Sequence, residues 1–417
     1  MCTAIACRLG YPLPQKVARA IRWNTFLGGL MSGLLRTIRL TVPLVVALAV
    51  VAPIATAFSS GAAGASSSSN VQKNAMSAVQ QEYKGTSTSA ASTSRPAAKG
   101  KTIVVISAGQ AASSSAVPAN GAVEAAQALG WHVTLYDAKL NPSNYAPLVR
   151  QAVAAHVNGI VLDAIDCDTV RAPLEEARAA GIAVTAIYAF DCNDPHAGGA
   201  KQSLFSAATS FGAKAHNIDA FTESYGADQA NYIISKSHNS AKIIAVQDPE
   251  FTVLYWTYKG FADRIKASGG SKIIDTVDIT QSDLVQGTCV NKIQSAVLDH
   301  PDATWIKSPY TYATTLCVVP ALKNNSNHMN VMGGEGFHDE IDLIRQSKVA
   351  ATNAISSTWS GWAAVDTLNS VFLHQKPAVS GIGWTIVDAS HNMPAPGVDY
   401  TPPINFKAEY KKAWGVG

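Results

Sequence analysis

The residues that usually carry catalysis or cofactor binding do not form a working motif in this chain. Gly100-Lys101-Thr102 looks like the end of a phosphate-binding loop, but Arg95 stands where that loop needs glycine, and an apolar run follows it instead of preceding it. Asp191–Asp194 resembles a calcium loop only until Pro195. The ten histidines are scattered. We therefore expect no enzyme, no cofactor and no metal site.

The cysteines suggest covalent cross-links instead. Cys167 and Cys192 each follow a strand-like run, and neighbouring parallel strands would bring both to one sheet edge, which favours a disulfide. Cys289 and Cys317 lie on helical stretches that right-handed crossovers place on one sheet face, so a second disulfide is geometrically open. Four buried free thiols are the alternative. The spacing of the cysteines does not fit zinc.

Strand-like apolar segments alternate with helical segments twice along the chain. The first set is Thr102–Ser107, His132–Asp137, Gly159–Asp166 and Gly181–Tyr188. The second set is Ala241–Asp248, Lys272–Ile279, Thr304–Ser308 and Asn330–Glu335. This alternation predicts an α/β fold with two doubly wound parallel sheets. Such sheets bind ligands beyond the carboxyl ends of their strands, so two facing sheets would form a clamp.

Composition and charge argue against disorder and against nucleic acid. The chain has 417 residues, of which 47% are hydrophobic and 15% charged, enough for two or three globular domains. The formal charge is +3, but the first 57 residues hold six basic residues and no acid, so the remainder carries three more acids than bases. Nucleic-acid binding requires dense neutralisation of phosphates, and we exclude it.

The N-terminus has the layout of a secretion signal. Basic residues precede the uncharged run Leu40–Ala57, which ends in small residues, so we predict a leader over residues 1–57 that is cleaved after Ala57 and a protein exported to the periplasm or cell envelope. Met31 is an alternative start, and a retained membrane anchor is the alternative to cleavage. Residues 58–100 are rich in Ser, Ala, Thr and Gly, which predicts a low-complexity tether.

Three segments in order carry a family resemblance. Gly159–Tyr188 resembles a strand, an Asp-containing turn, a helix and a second strand of the type I periplasmic solute-binding proteins. Tyr258–Gly270 is similar to their helix after the first strand of the second lobe, and Ala351–Pro377 to the crossing strand and returning helix. The resemblance covers about residues 101–390 and is strongest to the sugar-binding branch, which includes ribose-binding proteins and the ligand domain of lac-type repressors.

The resemblance implies two lobes joined by a three-strand hinge. The implied lobes are residues 101–190 with 356–378, and residues 194–352 with 379–390, followed by a C-terminal extension over 391–417. The implied crossings lie near residues 189–193, 352–356 and 381–384. Members of this family deliver a bound solute to an ABC permease by closing the lobes around it.

The resemblance also implies a set of ligand-binding positions. They are Gln110, Ser114, Ser115, Tyr188, Phe190, Asp191, Tyr255, Trp256, Tyr310, Thr311, Tyr312, Glu335 and Trp359. At several of them this chain departs from the sugar-binding pattern, because aromatic rings replace arginine. Aromatic faces stack on sugar C–H groups or flat rings, whereas the loss of guanidinium groups removes a partner for anions. We therefore expect a small neutral solute.

The prediction for function is an exported, monomeric solute-binding protein of an ABC importer, with a sugar or polyol as ligand and a membrane permease as partner. An aromatic or partly apolar solute is the first alternative. The second is a receptor subunit that passes lobe closure to a membrane signalling protein. A DNA-binding regulator is excluded because no helix-turn-helix precedes Lys101.

Overall fold

The computed structural model describes residues 62–90, 94–212, 215–323 and 328–417. The predicted leader over residues 1–57 and its cleavage site lie outside these ranges. Within them, no helix has both the length and the apolar character needed to cross a membrane.

Ten strands alternate with helices along the chain. The strands are β1 Thr102–Ser107, β2 His132–Asp137, β3 Gly159–Asp163, β4 Ala183–Ile187, β5 Lys242–Gln247, β6 Lys272–Asp278, β7 Trp305–Lys307, β8 Asn330–Met332, β9 Ala351–Ile355 and β10 Trp384–Asp388. The helices are α1 Ala62–Glu82, α2 Ser113–Ala128, α3 Tyr145–Ala154, α4 Arg171–Ala179, α5 Ile218–Lys236, α6 Thr252–Ser268, α7 Gln281–Gln286, α8 Cys289–Asp299, α9 Thr311–Ala313, α10 Val319–Leu322, α11 His338–Arg345, α12 Ser357–Phe372 and α13 Phe406–Trp414. The eight strand-like segments of the sequence each contain one of β1 to β8.

Two sheets organise these elements. The first has the strand order β2-β1-β3-β4, and all its pairs are parallel. The second has the order β10-β9-β8-β7-β5-β6, in which only β9 and β10 pair antiparallel. The predicted α/β class with two parallel-sheet lobes is confirmed. Inner strands such as β3 are fully buried and therefore read as continuous apolar runs, whereas the edge strands β2 and β6 are largely unburied.

The helices pack closely on each sheet. In the first lobe α2 lies against α12, and in the second lobe α5 lies against α6. Gly226 of α5 faces Thr257 of α6 so closely that a Cβ at position 226 would lie 1.9 Å from the Thr257 carbonyl oxygen. Glycine is required at this crossing, because any larger residue would push apart the two helices that carry part of the cleft wall.

The first crossing between the lobes differs from the implied one near residues 189–193. Leu204 and Phe205 are buried in the core of the first sheet, and Ser206 exchanges hydrogen bonds with Val184 of β4. The chain moves to the second lobe only before α5, which begins at Ile218. The physical reason is the long loop after β4, which folds back onto its own lobe.

The segment before β1 is also more ordered than the predicted tether. Helix α1 buries Ala75 and Val79 in the same cluster as α5. Thr86 and Thr88 then donate backbone hydrogen bonds to the carbonyls of Trp384 and Gly381, at 2.9 and 2.8 Å. Ala75 and Val79 are four positions apart and therefore lie on one face of the helix, which is the face that packs on the second lobe.

The residues just before β1 pack with the C-terminal helix α13 on the first lobe. Arg95 forms a buried ion pair with Asp366 of α12 at 2.8 Å, and the Trp414 indole N–H donates to the same carboxylate at 2.8 Å. The backbone N–H groups of Arg95 and Ala97 donate to carbonyls of α13. We call residues 83–90 and 94–98 the N-terminal strap, because they run from the second lobe past the third crossing to the first lobe.

Candidate ligand-binding cleft

A cleft lies between the carboxyl ends of the two sheets. The space inside it that the centre of a water-sized sphere can occupy is about 100 Å³, and the cleft is partly open to solvent. The first lobe contributes Ala112, Ser114, Ser115, Leu140, Ala164 and Tyr188. The remaining wall consists of Phe221, Thr222, Tyr225, Phe251, Val253, Leu254, Thr257, Gln281, Leu284, Pro309, Tyr310, Tyr312, Glu335 and Ile355. A concave, mostly apolar space with a few polar groups is typical of small-molecule sites.

The first-lobe wall is built from residues that closely follow strands. Leu140, Ala164 and Tyr188 come after β2, β3 and β4, with φ angles of 53°, 53° and 51°. Residues other than glycine rarely adopt this left-handed conformation, and those that do tend to cluster at functional sites. Three such residues at one end of one sheet therefore support this end as the functional one.

Glu335 is the only carboxylate among the residues that line the cleft in the described ranges. Its Oε2 accepts the backbone N–H of Thr311 at 2.6 Å and the hydroxyl of Ser114, from the first lobe, at 3.2 Å. Burial raises its pKa to about 7, although the bond from Thr311 opposes this rise. The side chain is thus poised between a hydrogen-bond acceptor and a neutral acid near pH 7.

A glycine turn after β8 holds Glu335 in place. Gly334 and Gly336 donate their backbone N–H groups to the Glu340 carboxylate at 2.7 and 3.1 Å. A Cβ at Gly334 would lie 2.3 Å from the backbone nitrogen of Thr311. The turn can pass this close to Thr311 only with glycine at position 334, and this approach brings Thr311 within reach of Glu335.

Buried acids lie behind the cleft wall. Asp248 accepts the Tyr310 hydroxyl at 2.8 Å, and burial raises the pKa of Asp248 to about 7. Asp163 at the end of β3 accepts the Ser107 hydroxyl at 3.2 Å, and burial raises its pKa well above the usual range. These acids orient neighbouring hydroxyl groups, and the Tyr310 hydroxyl is committed to one of them.

Hydrogen bonds join the two lobes beside the cleft. The Tyr145 hydroxyl donates to Gln281 Oε1 at 3.0 Å. The Asp166 carboxylate accepts the backbone N–H of Phe190 from its own lobe at 2.7 Å and that of Thr252 from the second lobe at 2.8 Å. Burial raises the pKa of Asp166 to about 6, and the two N–H groups oppose this. The lobes therefore meet through directed contacts.

A further contact lies at the rim and involves two predicted ligand residues. Trp256 donates its indole N–H to Asp194 at 3.2 Å, and the Tyr255 ring stacks on the His196 ring with centroids 3.6 Å apart. Tyr255 and Trp256 thus contact the opposite lobe outside the cleft lining. The contacts of these two aromatic residues are with Asp194 and His196.

Both predicted disulfides are present. Cys167 bonds to Cys192 with their Cα atoms 4.9 Å apart, and Cys289 bonds to Cys317 at 5.6 Å. Among the described residues, the one cluster spaced for a metal ion is Cys167, Asp191 and Cys192. Since its two sulfur atoms are bonded to each other, it offers no thiolate ligands. The alternative of four free thiols is wrong.

The structure brings six of the predicted ligand residues to the cleft lining. They are Ser114, Ser115, Tyr188, Tyr310, Tyr312 and Glu335. Thr311 lies directly beneath them, where its hydroxyl donates to Glu340 at 3.0 Å. It supports Glu335 from below the wall.

Three predicted residues near the first sheet lie outside the lining. Gln110 donates its backbone N–H to Asp137 at 3.0 Å, and Phe190 is buried in the core. Asp191 accepts the backbone N–H groups of Leu204 and Phe205 at 2.7 and 3.1 Å. Its carboxylate therefore folds the long loop after β4, because a turn of this length needs a central acceptor.

Trp359 also lies outside the cleft. It is fully buried, stacks on Phe406 with centroids 4.9 Å apart, and donates its indole N–H to Tyr410 at 3.4 Å. Trp359 therefore packs against α13 and lies away from the cleft. This helix belongs to the C-terminal extension, which the family resemblance does not cover.

Sequence reasoning missed the wall contributed by α5, α6 and α7. Phe221 and Tyr225 lie on α5, whose position was assigned to no site, and Phe251, Leu254 and Leu284 read as ordinary core residues. A signal was available at Phe251 and Leu254, because they directly follow β5, where a parallel sheet opens to ligand.

The fold and the cleft can be compared with known proteins. Residues 103–376 match the model of the periplasmic binding protein domain. This chain belongs to that family. Among curated proteins, none matches the chain. The family places the chain outside the cytoplasm, in agreement with the predicted export.

Solved structures of solute-binding proteins share the fold. One from Agrobacterium vitis, bound to α-D-tagatopyranose, has a TM-score of 0.62 at 16% identity and covers 73% of this chain and 100% of its own. One from Burkholderia graminis with D-arabinose gives 0.59 at 19%, over 72% and 98%. One from Mycobacterium smegmatis with glycerol gives 0.58 at 19%, over 72% and 99%. At these identities the likeness establishes the two-lobed fold.

Proposed function

We propose that this protein is the solute-binding component of an ABC importer. It captures a small neutral solute between its lobes and presents the closed form to a membrane permease. The observation that carries the proposal is the cleft itself, which lies at the carboxyl ends of both sheets and is bridged from lobe to lobe by Ser114 and Glu335. A ligand in that position contacts both lobes and so stabilises their closure.

Sugars and polyols are the first class of solute to test. The proteins of similar fold were solved with tagatose, arabinose and glycerol. The cleft offers Ser115, Gln281, Tyr312 and Glu335 as polar groups. Among the residues that line it in the described ranges, none is arginine or lysine, so an anion would lack a counter-charge.

We propose that the protein acts in the cell envelope, because its predicted leader directs export. Residues 1–57 direct export, and cleavage after Ala57 releases the mature protein outside the membrane. Mass spectrometry of the protein secreted from its own host would show a new N-terminus at Phe58. An intact leader in the membrane fraction would instead indicate an anchored protein.

The function is tested by a thermal-shift screen of the mature protein against sugars, polyols and small aromatic compounds. A bound solute raises the unfolding temperature, because it binds the folded state alone. Scattering of the same samples should show a smaller radius of gyration with the solute that binds. If no compound changes either quantity, the proposed capture function is contradicted.

A further inference from the structure

We infer that the captured solute is a ring compound with few hydroxyl groups, such as a deoxy sugar or an aryl glycoside. This inference rests on the proposed function and narrows the ligand class of the same cleft. It follows from which polar groups of the wall are already engaged inside the protein.

The tyrosine hydroxyls of the wall are mostly committed. Tyr225 donates to the carbonyls of Gly334 and Asn353 at 2.7 and 2.6 Å. Tyr310 donates to a buried carboxylate, and Tyr188 shares hydrogen bonds with two serines of α12. These three residues therefore present their rings to the cleft, while each of their hydroxyl groups is hydrogen-bonded inside the protein.

The threonines of the wall are committed as well. Thr222 donates to the carbonyls of Ile218 and Asp219 at 2.9 and 3.0 Å, and Thr257 donates to Val253 at 2.8 Å. Both hydroxyls bond within their own helices. Such local bonds hold the hydroxyl protons against the helix backbone and leave the methyl groups as the open surface.

Few polar groups remain for a solute. Glu335 Oε1 accepts no hydrogen bond among the described residues, because both bonds to this carboxylate go to Oε2. Within the same ranges, the hydroxyls of Ser115 and Tyr312 also lack a side-chain partner. Gln281 uses its oxygen to accept from Tyr145 and keeps its side-chain NH₂ for a solute. A fully hydroxylated hexose carries an oxygen on every carbon and needs more partners than this.

The rest of the wall is apolar. Leu140, Phe221, Phe251, Leu254, Leu284 and Ile355 supply aliphatic and aromatic surface from both lobes. Enclosing a hydroxyl group against such surface without a partner costs about 1–3 kcal/mol, whereas enclosing a C–H or aromatic face is favourable. The cleft therefore discriminates against each additional hydroxyl group that the few free polar atoms cannot reach.

The test is a calorimetric titration of the mature protein with each member of matched pairs of probes. The pairs are L-fucose with L-galactose, cyclohexane-1,2-diol with myo-inositol, and phenyl β-D-glucoside with D-glucose. Within a pair that binds, we expect the member with fewer hydroxyl groups or more apolar surface to bind at least about tenfold more tightly. A substitution that adds a polar group, Leu284→Gln, should reduce this preference, whereas Val285→Gln on the exposed face of α7 should leave it unchanged.

Each outcome of the titration decides one claim. Equal or tighter binding of the more hydroxylated members overturns the inference and leaves the proposed capture function intact. Binding of no probe, with no change in scattering on addition of any of them, overturns the inference and the proposed function together. A preference unaltered by Leu284→Gln, in a variant that unfolds at the normal temperature, places the solute elsewhere and also overturns it.

Discussion

Glu335 is a group in the cleft whose charge depends on pH. Its pKa is raised to about 7 by burial, and the neighbouring Glu340 carboxylate acts in the same direction. Buried Lys307, whose pKa burial lowers to about 8, lies close enough to interact with it. Because Glu335, the only carboxylate among the described residues of the lining, changes charge near neutrality, both binding and stability should depend on pH through it.

We predict that Glu335→Gln weakens binding of the selected solute about tenfold, since a hydrogen bond to a charged acceptor contributes about 1.5–3 kcal/mol. In the parent protein the affinity should rise as the pH increases through about 7, because the ionised carboxylate is the better acceptor. Calorimetry between pH 5.5 and 8.5, values on either side of about 7, measures both effects. Glu175→Gln, at an exposed position of α4, is the control and should bind normally. A pH profile that survives in Glu335→Gln would assign the titration to another group.

Ionisation of Glu335 also makes the free energy of unfolding depend on pH. The folded-state pKa of Glu335 lies above the ordinary value of 4.5, so the stability that its protonated form contributes is present below pH 4.5 and is lost as the pH rises through about 7. Asp248 and Asp166, with pKa values raised to about 7 and 6, act in the same direction. We predict that urea unfolding shows a lower free energy of unfolding at pH 8 than at pH 5, with a smaller fall in Glu335→Gln.

Single residues also show what the sequence could reveal about the site. The place of Ser114, Tyr310, Tyr312 and Glu335 in the cleft lining was predictable because the family resemblance assigns ligand contacts to the segments after these strands. Trp359 was not, because its partner Phe406 lies in a C-terminal helix that no sequence pattern linked to α12. Tertiary packing decides the role of such a residue.

The turn after β3 connects the two lobes. Asp166 follows this strand and accepts one backbone N–H from each lobe, while the adjacent disulfide fixes its neighbour Cys167 to Cys192. We predict that Asp166→Asn weakens solute binding about tenfold, because an amide can accept only one of the two N–H groups and its own NH₂ faces the other. The folded state should persist.

The matched control is Asp168→Asn, two positions later and exposed. Scattering of Asp166→Asn without solute should indicate a larger radius of gyration than in Asp168→Asn, since one lobe-to-lobe bond is lost. Identical radii and affinities for the two variants would show that the Asp166 contact does not contribute to closure.

The N-terminal strap is held to the first lobe by the Arg95–Asp366 pair, whose side chains are only 3% and 4% exposed. Removing one member leaves a buried unpaired charge, so Arg95→Ala should lower the free energy of unfolding by about 3–5 kcal/mol. The control is Arg150→Ala, which breaks an ion pair with Glu176 that is 49% and 46% exposed and should cost less than about 1 kcal/mol. Equal costs in urea unfolding would mean that the strap does not stabilise the lobe.

Strands and helices were predictable to different degrees. The run Thr102–Ser107 was predicted at its observed bounds, because a strand buried on both faces is a continuous apolar segment. The run His132–Asp137 was also predicted at its observed bounds, although this edge strand is only partly buried. The strap and the first crossing were not predictable, since their order depends on Gly381, Asp366 and the Asp191 loop, which are distant in sequence.

In the part of the chain that the structure describes, the two sheets and the crossings form a clamp around a cleft of largely apolar lining. The two-lobed architecture followed from the alternation of strands and helices along the chain. The polarity of the cleft wall could not be predicted from the sequence, because it depends on which tyrosine and threonine hydroxyls form hydrogen bonds inside the folded protein. Tyr225, for example, bonds to Gly334 and Asn353. Only the three-dimensional arrangement determines how many polar atoms remain for a solute.

The central claim is that a solute occupies the space between the lobes, and a crystal structure of the mature protein with the best-binding probe tests it most directly. We predict that the solute lies between Ser115 of the first lobe and Tyr312 of the second, with one of its polar atoms within hydrogen-bond distance of Glu335. A solute bound on the outer surface of either lobe, with the cleft filled only by water, would contradict it.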